Sequence, residues 1–226
     1  MPTFEETRRG FLNLWNKADY RSTQWHESLD EHAGAIISEK DRYMAVQKTA
    51  GAPWFWIGCV HTREASRNFN TYLGNGQPLN QVTTIVPKGR GPFKSWEAGA
   101  IDALKVLKQL DKITEWSIER CLFEFERYNG FGYMRAGISI NSPYNWSGTT
   151  LYTRGKYVAD RVFSSTTVDK QPGCAGILKS LINLDDDVRN HFGVSPPEPT
   201  PNERVAQLFK DIEDSLTELK TTIKGE

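Results

Sequence analysis

Glu64 is a carboxylate that arrives at the end of an apolar run. Ahead of it stand Trp54, Phe55, Trp56, Ile57, Cys59 and Val60, opened by Pro53, and beside it come His61, Thr62 and Arg63. Apolar residues on every face predict a helix buried all round. Pro53 suits its first turn, where a missing N–H costs nothing. A carboxyl group at the mouth of such a helix loses solvent, which raises its pKa. A carboxyl group that keeps its proton near neutral pH can act as a general acid. The competing reading pairs Glu64 with Arg63 or Arg67 at a helix end. Other chemistries fit less well. Cys59 and His61, two apart on a helix, do not face each other as nucleophile and base would, and no G-x-S-x-G elbow occurs. The segment KGRGPF, from Lys88, lacks the Gly-Lys-Ser/Thr ending of a phosphate loop. His26 and His32 belong to no Cys/His/Asp cluster of metal-ligand spacing, so no metal and no cofactor are expected.

Beyond Glu64 the chain turns polar, through Asn68, Asn70, Gly74, Asn75, Gly76 and Pro78. Asn75-Gly76 is a strong hairpin signal. A buried helix ending in Glu, then a small β-hairpin lobe between about Phe69 and Pro87, is the arrangement of lysozyme-like folds. REASRNFN resembles the Glu-Ser motif of goose-type lysozymes and soluble lytic transglycosylases. HTREASRNFNTYLGNGQPL is similar to a family of phage and bacterial lysozyme-like peptidoglycan hydrolases (endolysins), through its His-x-Arg-Glu, Asn-Phe-Asn-Thr and Asn-Gly-x-Pro-Leu elements. The similarity continues at VPKGRGPFKSWEAGAIDAL, ERYNGFGY and SPYNWSGTTLYTRGKYVADRVF, and so covers about Ala52 to Gly176.

The resemblance implies a mainly α (α+β) lysozyme-like fold that cleaves the β-1,4 bond between N-acetylmuramic acid and N-acetylglucosamine. Glu64 would be the general acid, with His61, Asn68, Asn70, Tyr128, Asn129 and Trp146 as substrate contacts. Tyr128-Asn129 looks like the Tyr-Asn element of the transglycosylase cleft, although Asn-Gly also ends helices well. Lys88 and Arg90 would lie within reach of the lactyl or peptide carboxylates of the glycan. Two routes stay open. A hydrolase needs a second carboxylate, for which Glu97, Glu124, Glu126 and Asp160 are candidates. A lytic transglycosylase needs none, because the muramoyl 6-hydroxyl attacks and yields a 1,6-anhydro sugar. The chain departs from the Glu-Ser pattern at Ala65, which bears on how the acid is oriented. A catalytically silent glycan-binding protein on the same fold is the remaining alternative.

A length of 226 residues suits one large domain with an appendage. Equal numbers of basic and acidic residues, 28 each, argue against a nucleic-acid partner. They also mean that attraction to an anionic wall must be local. Cys59, Cys121 and Cys174, an odd set without a secretory signal, read as reduced and mostly buried. MPTFEETRRG has no apolar signal core, and no run is long enough to span a membrane. The resemblance then implies synthesis in the cytoplasm and action on the wall after release by a holin or lysis.

Amphipathic patterning predicts helices over Phe4–Lys17, with a Thr3/Glu6 capping box, and over about Glu27–Thr49. QVTTIVP, from Gln81 to Pro87, reads as a strand. Ser95–Leu110 reads as a helix with Ile101, Leu104, Val106, Leu107 and Leu110 inward. Ile118–Arg127 and Pro172–Leu184 read as further helices. Residues 139–163 read as aromatic loops, suited equally to sugar contact and to packing. The catalytic domain is expected over 1–193 and a proline-rich linker over 194–201. An amphipathic helix follows over 202–226, which either folds back or pairs with a second copy as a homo-oligomer.

Overall fold

The computed structural model describes all residues except 136, 139, 160, 197, 199, 200, 225 and 226. The chain is mainly helical and divides into two units, Met1–Val194 and Ser195–Glu226.

The first unit begins with α1 (Phe4–Lys17), capped by reciprocal Thr3–Glu6 hydrogen bonds. Its buried face is Phe4, Phe11 and Trp15, of which Phe4 and Phe11 meet Phe123 of the later helix α6 (Ile118–Asn129) edge to face. The single helix expected over about 27–49 is two, α2 (Thr23–Ser38) and α3 (Lys40–Ala50). Ser22 starts the first by accepting from the Trp25 amide. The helix breaks at Glu39, whose φ and ψ of −104° and 14° leave the helical region. The break has a packing reason. It frees α2 to lie on α8 (Cys174–Leu184) while α3 lies on α4 (Trp54–Ala65) and α5 (Trp96–Ile101).

Helix α4 is the axis of the unit. Every residue from Trp54 to Thr62 is buried. Trp56 stacks on Phe125 of α6 at 5.2 Å, and Gly58 lets α2 approach so closely that a Cβ there would sit 2.3 Å from Ile36 Cγ2. The helix ends in two consecutive left-handed residues, Ser66 (φ 49°) and Arg67 (φ 59°), whose amides return to the carbonyls of Thr62 and His61.

The lobe that follows differs from expectation. The Asn75-Gly76 turn forms, but it carries one isolated bridge, Thr71 to Pro78, and no strand. Gln81–Pro87 is irregular because side chains take its backbone partners. Gln77 Oε1 accepts from the amides of Thr84 and Ile85, and Thr83 Oγ1 donates to Pro87 O. Val82, Ile85 and Val86 are exposed, so no buried face rewards a ladder. Among the described residues the two-stranded sheet lies elsewhere, as the antiparallel pair β1 (Lys156–Ala159) and β2 (Val162–Ser164) inside the stretch read as loops.

The helix expected over 95–110 starts as α5, capped by Ser95, and continues from Asp102 to Leu107 in π-helical geometry. The wider turn rotates its face. Leu104 and Leu110 are buried, whereas Val106 (55% exposed) and Leu107, expected inward, are not. Gly130, at φ 90°, ends α6. A short α7 (Pro143–Trp146), then α8 and α9 (Asp186–His191), complete the unit. The three cysteines are free and buried.

The second unit contains α10 (Pro201–Lys224), with Val205, Leu208, Phe209, Ile212, Leu216 and Leu219 exposed along it. Among the described residues no helix is long and apolar enough to cross a membrane.

Candidate active site

A cleft of about 550 Å³ opens at the C-terminal end of α4. Arg63 and Glu64 come from that helix, and Asn129 and Gly130 come from the end of α6. Tyr144 of α7 and the β1–β2 pair form the facing wall, with Lys156, Tyr157, Ala159 and Arg161. Gly132, Tyr133, Arg135, Asp169 and Gln171 close the rim.

Glu64 stands open to the cleft on one side, and the protein closes around the rest of it. The buried Tyr144 hydroxyl donates to Glu64 Oε1 at 2.7 Å. Burial raises the Glu64 pKa above the ordinary carboxyl value. The Tyr144 hydrogen bond and the charges of Arg63 and Lys108 pull the other way without reversing it. The ion pair expected as the alternative does not form at Glu64. Arg63 instead pairs with the buried Asp169, and its Nη1 donates to the Gln171 carbonyl at 3.2 Å. Lys156 Nζ approaches the other oxygen of Asp169 at 3.4 Å. Asp169 therefore keeps a depressed pKa despite its burial, held down by these cations and the Gln171 amide. Arg67 turns away and donates to His32 Nδ1.

Behind the cleft wall lies a second carboxyl. Glu126 is buried, and Asn145 Nδ2 donates to its Oε2 at 3.2 Å. Burial pushes its pKa up to about 7, against the pull of Ser142, Asn145, Asn129 and the Arg63 charge. The sequence offers Glu126 as one of four candidate carboxylates, with no informative spacing to set it apart. It sits on the amphipathic helix α6, and Asn145 of the packed helix α7 meets it.

The expected site residues scatter. Asn129 lines the cleft with Glu64. Tyr128 lies beside it, with its hydroxyl spent on the Leu73 carbonyl at 3.0 Å and Lys108 Nζ 4.6 Å from its ring centre. His61 is not a cleft residue. It is fully buried, packs against Trp96 and Phe69, accepts from Tyr43 through Nδ1 and donates to Asn68 O through Nε2. Burial lowers its pKa to about 4, so it is neutral and structural. Asn68 and Asn70 serve the turn after α4, where Asn68 Oδ1 accepts from the Asn70 amide, and neither lines the cleft. Trp146 is 1% exposed and belongs to the core, because α7 turns its ring inward. Arg90 is held by Asp102, away from the cleft, and Lys88 does not line it either.

Among the proposed second carboxylates, Glu97 pairs with Arg42 and Glu124 lies between Arg120 and Arg127. Glu126 is sealed behind the wall, and Asp160 lies outside the described residues. Among the described residues no group of His, Cys, Asp and Glu is arranged to hold a metal ion.

In comparisons with protein-family models, with curated proteins and with solved structures, none matched this chain.

Proposed function

We propose that this chain is a lysozyme-like glycosidase that cleaves the glycan strands of peptidoglycan, with Glu64 as general acid. The observation that carries the reading is the state of Glu64. It is a carboxyl group facing an open cleft, with a raised pKa, one oxygen held by Tyr144 and no cation paired to it. The Tyr144 hydrogen bond occupies Oε1, which leaves Oε2 to carry the acidic proton toward a glycosidic oxygen. Where the Glu-Ser enzymes have serine, this chain has Ala65, and the Tyr144 hydroxyl supplies the support. Tyr133 and Tyr157, edge to face at 5.1 Å on the opposite wall, offer aromatic area to a sugar ring.

A second reading, lytic transglycosylase, is favoured by a specific feature. Among the described carboxylates of the cleft, Glu64 alone is unpaired, since Asp169 is neutralised by Arg63 and Lys156. A single acid that later acts as base is what intramolecular attack by the 6-hydroxyl requires. Mass spectrometry of digested peptidoglycan separates the two, since a 1,6-anhydro end marks the transglycosylase and a reducing muramic acid marks the hydrolase. In either case Glu64→Gln should fold normally and lose wall cleavage by about a hundredfold to ten-thousandfold, the range a positioned general acid contributes. If the variant clears purified peptidoglycan at the parental rate, Glu64 is not the acid. If neither protein cleaves but both bind, the chain is a silent glycan binder.

A further inference from the structure

Among the described residues, the cleft carries more positive charge than its acids use. Arg63, Arg135, Lys156 and Arg161 line it, against Glu64 and Asp169. Arg63 and Lys156 are both spent on Asp169. Arg135 and Arg161 are exposed on the cleft rim and have no acidic partner among the described residues. The two approach the cleft from different elements. Arg135 follows the single turn Gly132–Met134, and Arg161 sits at the tip joining β1 to β2. In a chain of zero net charge, this is a local concentration of cation at the place where ligand would lie.

We propose that Arg135 and Arg161 form an anion subsite that recognises the carboxylates of an acidic glycan, so that the substrate class is muramyl-containing rather than neutral amino-sugar polymer. The identity of the ligand rests on the glycosidase reading; the subsite itself rests on the charges. A guanidinium presents a rigid fork of donors that matches a carboxylate bidentately and is less strongly hydrated than an ammonium. Arginine is therefore the residue type that holds a carboxylate at a wet rim. Arg90 and Lys88, the basic residues that the sequence offers for this role, lie elsewhere, and Arg90 is neutralised by Asp102. The positions that meet the requirement are those in the cleft. A neutral β-1,4 amino sugar would meet the same Glu64 and the same aromatic wall but would leave both guanidiniums without a partner.

The test is calorimetric binding to full-length Glu64→Gln protein, which removes turnover, with and without Arg135→Gln and Arg161→Gln. Three ligands are compared. The first is a disaccharide of N-acetylglucosamine and N-acetylmuramic acid with its lactyl carboxylate free. The second is the same disaccharide bearing a stem peptide with free carboxylates. The third is the peptide form with every carboxylate amidated. At least one charged ligand should bind about tenfold or more tighter than the amidated one, the order expected for a charge-assisted pair. The preference should fall as salt rises and disappear in the arginine variant. Preference for the first ligand assigns the lactyl group, and preference for the second assigns the peptide. Equal binding of charged and amidated ligands, or a preference that survives both substitutions in a protein that still unfolds at the parental temperature, overturns the subsite. Charge preference without any turnover by the wild-type protein would refute the glycosidase reading and leave the subsite standing.

Discussion

At the residue level, two opposed effects set the acidity of Glu64. Burial raises its pKa, and the hydrogen bond from Tyr144 lowers it. Tyr144→Phe removes the lowering effect and the hold on Oε1 together. The acid form should then persist to higher pH, moving the alkaline limb of the kcat/KM profile upward. Loss of positioning should cut kcat roughly tenfold, the upper end of what one neutral hydrogen bond is worth. A limb that stays in place would show that Tyr144 does not tune the acid. Glu126 poses a stability question instead. Its pKa rises from 4.5 to about 7 on folding, so between those values the folded state binds more protons than the unfolded one. Stability from this group is present below pH 4.5 and is lost as pH rises through 7. Glu126→Gln should therefore differ little from the parent near pH 4.5. By pH 8 it should be more stable by about 3 kcal/mol, the equivalent of the shift, as read from urea unfolding across that range. His61 works with the opposite sign. Its pKa falls from 6.5 to about 4 on folding, so stability from it is lost as pH drops through that window. In the parent the two slopes oppose each other, and the Gln variant should show the rising one uncovered. A constant offset between the two proteins at every pH would mean that Glu126 does not titrate there.

At the element level, α4 had a direct sequence signature, because the seven successive residues from Trp54 to Val60 have no polar face and leave no surface on which the helix could lie. Glu64 was legible for the same reason, as the first acid past that run. Its partner was not. Tyr144 lies 80 residues away in a stretch that reads as loop, and Asp169 lies 106 residues from Arg63. No local pattern links them. His61 misled because it lies only two and three residues from the cleft residues Arg63 and Glu64, whereas the helical turn between them, about 100° per residue, puts its ring on the side of Trp96. Gln81–Pro87 misled because β-branched composition signals a strand only where a buried face exists, and here Gln77 and Thr83 satisfied the backbone first. The π-helical stretch after Asp102 likewise moved Val106 and Leu107 outward against a regular period. The packing of α4 against α2 has its own test. At Gly58 a methyl group would meet the fully buried Ile36 side chain at 2.3 Å. Gly58→Ala gains about 1 kcal/mol of helix propensity, but overpacking of about 1–3 kcal/mol opposes it. The net result should be a lowered Tm. In an Ile36→Ala background the same substitution should cost less or stabilise, a coupling that a double-mutant cycle reads directly. Additive effects would show that the two helices do not meet there as described.

At the level of the whole molecule, charge and connectivity separate the chemistry from the tail. The cleft residues, the buried carboxyls and α4 all lie within Met1–Val194, a unit compact by its own packing. The described residues of the second unit, Ser195–Glu226, supply none of them. Its helix α10 carries an apolar stripe, Val205, Leu208, Phe209, Ile212, Leu216 and Leu219, each half-exposed or more. A helix with such a stripe gains from covering it, and another copy of α10 offers an identical stripe at three- and four-residue spacing. Pairing would bring two clefts to one wall, where the second contact forms at high effective concentration. Truncation after Val194 should accordingly leave thermal unfolding and cleavage of short soluble glycans unchanged. It should convert a dimer to a monomer by sedimentation, and it should weaken action on intact walls more than on fragments, because only the wall presents many sites at once. An insoluble product would mean that the tail covers the first unit. A folded product inactive on short glycans would mean that the tail shapes the cleft. A parent that sediments as a monomer would leave the stripe to a different partner and remove the avidity argument.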